Sequence, residues 1–327
     1  MRRPVSLFLI LAALGVPICG QELRLQDPGE PAVGTPVGTM AHLPIDPAQR
    51  RAVGEAIRAR DYRRAETILL GEIDKNPRST PLLKALGSVF FLDGKYLDTV
   101  TALKKAEAIE PLDNQSRFTL ALAYIILNHR DWARPELAKL EKSDAANPLY
   151  PYWLGRLDYD AMQFTAAVER FQHTLRLDSN FMKAYDNLGL CYEALGKYDE
   201  AIETYKEAIR LSRAKLTCSP WPPLNLATLL VKIGRLDEAE TYLKASLGCD
   251  PRFPKAHYQM GLMLEKQRKD EEALQELKEA AANDPGYAEP HYVMGKIYRR
   301  GGDPQKANAE WATFQKLKKE KSEERPL

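Results

Sequence analysis

Residues Lys183 to Arg213 read KAYDNLGLCYEALGKYDEAIETYKEAIRLSR, and this stretch decides the fold. Apolar and small residues recur at helical spacing in its two halves, and Gly196 lies between the halves. A similar order of small, apolar and turn-forming residues returns along most of the chain every 34 residues. A repeat of this length that holds two short helices predicts stacked helical hairpins.

Eight windows of the chain follow this register. The first five are contiguous, and the last three come after a short insertion, Leu216 to Ser219. The windows begin at Asp46, Thr80, Asn114, Pro148, Met182, Pro220, Pro254 and Ala288. The sequence therefore predicts an all-α fold, a right-handed solenoid of about eight hairpins over residues 46–321, followed by a charged tail, residues 322–327.

Small residues mark two positions of the repeat. The eighth is valine, glycine or alanine in every window, and the twentieth is alanine everywhere except at Thr99. Because side chains without bulk let antiparallel helices approach closely, we expect these two positions to face each other. Apolar bulk at the seventh and twenty-fourth positions predicts a continuous core. Glycines, and Asn128 in one repeat, stand where the first helix must end, since both accept the left-handed conformation.

This pattern resembles the tetratricopeptide repeat family over about 272 residues. The resemblance implies a noncatalytic scaffold with a protein or peptide partner, held on a concave face that the first helices line. In this family, positions 2, 5, 6, 9, 12 and 13 of the repeat commonly meet the partner. The middle and late repeats place there Tyr152, Arg156, Tyr159, Lys183, Asp186, Asn187, Trp221, Asn225, Tyr258, Tyr292, Lys296 and Arg299.

Two of these residues, Asn187 and Asn225, share the sixth position of consecutive repeats. They look like a two-rung version of the asparagine ladder with which the repeats of the O-linked N-acetylglucosamine transferase hold peptide backbones. An amide side chain both donates and accepts hydrogen bonds, so it suits that use. The alternative is a structural role within the repeat.

Motifs of catalysis are absent from the sequence. It contains no phosphate-binding glycine loop, nucleophile elbow, His-Glu-x-x-His helix or Cys-x-x-Cys pair, so neither an enzyme nor a cofactor is predicted. His257 and His291 share the fourth position of successive repeats, where we expect them to stack on neighbouring first helices. A shared metal is not predicted, because helix axes lie about 8 to 10 Å apart and ligands about 2 Å from one ion.

The N-terminus predicts export. Arg2 and Arg3 precede the apolar run from Val5 to Ile18, which is typical of a cleaved signal peptide, here residues 1–20, and of a secreted or periplasmic protein. The run is shorter than the ~20 residues of a spanning helix, so the mature chain should not span a membrane. Lipid attachment at Cys19 is the alternative. Residues 21–45 are rich in proline and glycine and predict a flexible linker.

The charge balance argues against a nucleic-acid partner. Cleavage after residue 20 would remove two arginines and take the formal net charge from +2 to zero, with 45 basic and 45 acidic side chains. A protein without net charge has no overall field that draws it to nucleic acid.

Three cysteines follow the signal segment. Cys218 precedes the sixth hairpin and Cys249 ends the second helix of that hairpin, so antiparallel packing brings both to one end. In an oxidising compartment this predicts a disulfide, with two free buried thiols as the alternative. Cys191 lies inside a first helix and is expected in the core.

The last window raises the question of self-association. Trp311 and Phe314 lie on its second helix, and Phe314 would face a further repeat if one followed. An exposed apolar end favours a partner or a homodimer through the C-terminal repeat, while shielding by the tail is the alternative. A self-assembling structural component is therefore the second hypothesis for function.

Overall fold

The computed structural model describes residues 42–213 and 218–323, and these ranges contain sixteen helices and no strand. The helices pair in chain order into eight hairpins, called repeats 1 to 8. They are Pro47–Arg58 with Tyr62–Lys75, Thr80–Leu92 with Tyr96–Glu107, Asn114–Ile126 with Arg130–Ser143, Leu149–Asp160 with Phe164–Leu177, Met182–Ala194 with Tyr198–Arg213, Trp221–Lys232 with Leu236–Cys249, Pro254–Lys266 with Asp270–Asn283, and Glu289–Arg300 with Pro304–Glu323. The predicted all-α solenoid of hairpins is confirmed.

The turn inside each hairpin has one geometry. In repeat 5 the backbone N–H of Lys197 donates to the carbonyl of Tyr192 at 2.8 Å, and that of Gly196 donates to Glu193 at 3.1 Å. This pair of bonds closes the helix end and needs a residue with positive φ, which Gly196 supplies at 73°. Glycine or asparagine does so in five repeats, as the sequence predicted.

In three turns the residue with positive φ is neither glycine nor asparagine, so residue type did not predict it. Arg60, Met162 and Arg268 have φ values of 57°, 58° and 63° at the equivalent position of repeats 1, 4 and 7. A left-handed conformation costs a residue with a Cβ about 1 to 2 kcal/mol, so packing of the two helices must enforce it there.

The small eighth position makes room for the bulky twenty-fourth side chain of the same hairpin. A Cβ added to Gly189 would lie 2.5 Å from the ring of Tyr205, and one added to Gly155 would lie 2.9 Å from Phe171. A Cβ on Gly261 would also come within 3.3 Å of the carbonyl oxygen of Ala273, at the small twentieth position. Close approach of the two small positions is thus one part of the packing, and accommodation of the large side chain is the other.

The core runs along the solenoid axis as three clusters of buried side chains, over repeats 1–2, 2–5 and 5–8. Leu43 and Ile45 are buried in the first of these, so the packed part begins slightly before the predicted boundary at residue 46. The predicted signal peptide and most of the predicted linker lie outside the described residues. Among the helices of the two described ranges, none combines the length and apolarity that crossing a membrane requires.

Candidate binding groove

The first helices form one wall of the solenoid, called the inner wall. Each hairpin packs on the next, and first helices of neighbouring repeats also contact each other between repeats 2 and 3 and along repeats 4 to 8. Contacts between successive second helices are weaker or absent within the described part of the chain. The second helices therefore spread apart on the outside, and the first helices line the concave side.

The twelve predicted partner-binding residues all lie on first helices, but their exposure differs. Four are buried, namely Tyr152, Asp186, Asn187 and Asn225. Five are half-buried, namely Arg156, Tyr159, Lys183, Trp221 and Tyr258. Three are exposed, namely Tyr292, Lys296 and Arg299. Accessible predicted residues thus concentrate towards the C-terminal repeats.

Both asparagines connect neighbouring repeats. The Asn187 amide donates to the hydroxyl of Tyr152 in repeat 4 at 3.3 Å and to the Lys183 carbonyl at 2.8 Å. The Asn225 amide donates to the carboxylate of Asp186 in repeat 5 at 2.9 Å. Buried polar groups need such partners, so these rungs stabilise the stacking of repeats 4 to 6. The structure gives the asparagines the structural role that was the alternative, and their use on a ligand stays a prediction.

Sequence reasoning missed the pairing rule behind these rungs. In each rung, the fifth position of one repeat bonds to the sixth position of the next, over 35 residues for Tyr152 and Asn187 and over 39 for Asp186 and Asn225, where the insertion intervenes. A comparison of neighbouring windows, rather than of single windows, would have found this signal.

Aromatic and basic side chains meet on the inner wall of the last three repeats. The Lys255 ammonium lies 4.8 Å from the ring centroid of Trp221, a cation–π arrangement. The ring of Tyr258 packs edge-on against Tyr287 at 5.2 Å, and burial raises the pKa of Tyr258 to about 12, so its hydroxyl stays protonated. Tyr292 is 49% exposed. This part of the wall offers accessible ring surface beside positive charge.

The apolar end of repeat 8 is partly covered by its own residues. The ring of Phe314 lies 5.4 Å from that of Tyr292, and Trp311 donates its indole N–H to the Tyr292 carbonyl at 3.3 Å. Phe314 and Trp311 are half-buried as a result. A homodimer through this repeat stays a prediction.

The two histidines bond to the second helix of their own repeat. Nδ1 of His257 lies 2.7 Å from Glu276, and Nδ1 of His291 lies 2.7 Å from Glu310. Arg117 and Glu136 pair in the same way in repeat 3. A glutamate at the twenty-third position thus attracts the basic fourth residue across the hairpin, which was not predicted from the sequence, and stacking on neighbouring first helices stays a prediction. Within the described ranges, no three potential metal ligands cluster together.

The His257 bond predicts a pH-dependent stability. The pKa of His257 is raised, chiefly because Glu276 accepts a hydrogen bond from the ring, with a further bond to the Pro251 carbonyl, while burial opposes the rise. Since the folded pKa exceeds the unfolded one, the bond stabilises the fold fully below the unfolded pKa and is lost as pH rises through the folded value. The decrease in urea midpoint caused by His257→Gln should therefore be larger at about pH 6 than at about pH 9.

The partner residue supplies the control for that measurement. In a Glu276→Gln background, the decrease in urea midpoint caused by His257→Gln should no longer be larger at low pH than at high pH. An equal loss at both pH values in the unmodified background would contradict the assignment.

Cys218 and Cys249 form a disulfide, with their Cα atoms 5.3 Å apart. It ties the segment before repeat 6 to the end of the second helix of that repeat. The Ser246 hydroxyl donates to the Pro220 carbonyl at 2.8 Å beside it, so this end of the hairpin is closed twice. Cys191 is a buried free thiol, and burial raises its pKa to about 12, which keeps it unreactive.

Comparison with known proteins gives one fold family. Two family models described as tetratricopeptide repeat match residues 183–213 and residues 224–288. No curated protein matches the sequence.

Solved structures with the same fold share little sequence with the chain. A tetratricopeptide repeat protein from Parabacteroides merdae aligns with a TM-score of 0.62 and 16% identity, over 80% of this chain and 98% of that one. Yeast Tom70 aligns with a TM-score of 0.60 and 18% identity, over 78% of this chain, which spans 55% of that one. The repeated hairpins, the two matched segments and these similar folds agree: residues 183–213 and 224–288 match tetratricopeptide repeats, and the chain has the fold of tetratricopeptide repeat proteins.

Proposed function

We propose that the protein is a noncatalytic, exported scaffold that holds a peptide segment or a partner helix in the groove along its inner wall. The resemblance to tetratricopeptide repeats, matched at residues 183–213 and 224–288, supports a role in protein interaction. The observation that carries the proposal is the aromatic and basic surface of the wall, on which Tyr292 is exposed and Tyr159 and Tyr258 are half-buried. Tyrosine contributes contact area and a polar group at a small cost in side-chain entropy.

Two observations support export to the periplasm or the cell exterior. The disulfide between Cys218 and Cys249 is a bond that persists in oxidising compartments and is rare in reducing ones. The apolar run from Val5 to Ile18 behind Arg2 and Arg3 has the pattern of a cleaved signal.

Photocrosslinking in the native cell tests the proposal. With p-benzoylphenylalanine in place of Tyr258 or Tyr292, both positions should capture the same heterologous protein, because they face one groove. The matched control is Tyr198, a tyrosine at the start of a second helix with 36% exposure, which should not capture it. Equal capture at Tyr198, or none at the wall, would contradict groove binding.

The same material tests export. Mass spectrometry of the scaffold chain in the crosslinked complex should find no peptides from residues 1–20 and an intact bond between Cys218 and Cys249. Peptides from the first twenty residues in the mature protein would contradict cleavage of a signal.

Self-assembly through repeat 8 is the second hypothesis, which the half-buried position of Phe314 keeps open. If the protein self-assembles, its average molar mass in analytical ultracentrifugation should rise with protein concentration. A single mass at all concentrations would exclude it.

A further inference from the structure

The charges of repeats 6 and 7 are divided between two faces, and both helices of repeat 8 are net basic. The first helices Trp221–Lys232, Pro254–Lys266 and Glu289–Arg300 together carry six lysines and arginines and two glutamates. The second helices of repeats 6 and 7, Leu236–Cys249 and Asp270–Asn283, carry two lysines and eight acidic residues, whereas the second helix of repeat 8, Pro304–Glu323, carries five lysines and three glutamates. The near-zero net charge of the chain therefore conceals a basic inner wall over repeats 6 to 8 and an acidic outer face on repeats 6 and 7.

Exposed basic side chains and internally paired acidic side chains both occur on this wall. The side chains of Lys232 and Lys296 are 48% and 46% exposed, and their ammonium groups lie 3.1 Å from Glu193 and 3.9 Å from Glu265. Glu265 is only 14% exposed, and Arg300 neutralises it at 2.7 Å. Glu289 lies 3.3 Å from Lys318 of the outer helix of repeat 8. Both acidic residues of the wall thus have basic partners within the protein.

Apolar ring surface accompanies these basic groups. Each of the three first helices contributes one of the predicted partner-binding rings, namely Trp221, Tyr258 and Tyr292. Lys296 and Arg299 are exposed on the same helix as Tyr292, one and two turns further along. A ligand that follows the wall therefore meets rings and positive charges in alternation.

We propose that repeats 6 to 8 select a protein segment rich in aspartate and glutamate, with apolar side chains between the acidic ones. This inference rests on the proposed groove function and names the chemistry of its partner. Opposite charges across an interface raise the association rate and exclude like-charged partners. The acidic outer helices of repeats 6 and 7 repel the same segment, so at these two repeats the attraction is confined to the groove. Because salt screens charges over about 8 Å at physiological ionic strength, binding should weaken as salt is added.

Three labelled peptides test the proposal by fluorescence polarisation with the full-length protein. They share their leucine and tyrosine positions and carry glutamate, glutamine or lysine at all other positions. The glutamate peptide should bind about tenfold or more tightly than the glutamine peptide at low salt, and the lysine peptide should bind least. Equal binding of the glutamate and glutamine peptides, or no binding of the glutamate peptide, would overturn the inference.

Charge reversal locates the site. Lys296→Glu with Arg299→Glu should lower affinity for the glutamate peptide about tenfold or more and improve binding of the lysine peptide. The matched control, Lys244→Glu with Lys278→Glu, changes net charge equally but on exposed positions of the outer helices, and should leave the affinity within about twofold. Equal losses in the two double variants would overturn the assignment to the groove. Circular dichroism of both variants establishes that they fold.

The outcomes separate this inference from the proposed function. If the glutamine peptide binds as well as the glutamate peptide, and a crosslinker at Tyr258 captures both, the groove function stands and the acidic preference falls. If crosslinkers at Tyr258 and Tyr292 capture no protein in cells, the groove function itself falls. Salt-sensitive self-association of the protein alone would instead place the acidic face of a second copy in the groove, which contradicts a separate acidic partner.

Discussion

Replacement of Gly189 by alanine is expected to destabilise the protein by about 1 to 3 kcal/mol, the usual cost of overpacking a core. The added Cβ would lie 2.5 Å from Cε1 of Tyr205, and Tyr205 is fully buried, so its ring has no free space into which it could move. The urea midpoint should fall with little change in the slope of the transition. Gly71 provides the control, because a Cβ there meets nothing within 4 Å. Gly71→Ala should be neutral or stabilise by up to about 1 kcal/mol through helix propensity.

A second replacement should rescue the first. Alanine occupies the eighth position in repeats 3 and 6, and both of these repeats carry leucine at the twenty-fourth. Gly189→Ala combined with Tyr205→Leu should therefore cost less than the sum of the two single changes, a favourable coupling in a double-mutant cycle. Additive losses, or equal effects of alanine at Gly71 and Gly189, would show that the ring contact does not set the identity of the eighth residue.

The fold was predictable because one pattern recurs in phase along the chain. Each copy alone is weak, but the small residues and the turn glycines repeat at one spacing. The left-handed turns at Arg60, Met162 and Arg268 were not predictable from residue type, since local preference disfavours them. Their conformation follows from the packing of the two helices that they join.

The sequence predicted on which face of the solenoid the candidate residues lie, but it did not predict how exposed their side chains are. Position in the repeat correctly placed all twelve residues on first helices. It did not reveal that Tyr152, Asp186, Asn187 and Asn225 are covered by neighbouring repeats. A single window describes one helix, whereas burial on the inner wall depends on the side chain that the next repeat supplies. The charge division of repeats 6 and 7 is not visible in the net charge, because the charges of the two faces cancel in the sum.

Loss of the disulfide is the change with the largest expected effect on stability. Cys218 and Cys249 are separated by 31 residues, and closing a loop of that size stabilises a fold by about 3 to 4 kcal/mol in the chain-entropy model. Cys218→Ala with Cys249→Ala should lower the urea midpoint accordingly, and reductant should lower that of the unmodified protein to a similar value. In the double variant reductant should have no effect, because the one other cysteine of the described chain, Cys191, is a free thiol.

Alkylation provides the decisive measurement for this bond. The protein is denatured without reductant and then treated with an alkylating reagent. Cys218 and Cys249 should resist alkylation, whereas Cys191 should react because unfolding exposes its thiol. Complete alkylation of all three without reductant would contradict the bond. Because the loop that it closes contains Trp221 and Asn225 of the inner wall, reduction should also weaken binding of a groove ligand. Repeats stack only on their neighbours, so loosening of repeat 6 separates repeats 7 and 8 from the rest of the wall.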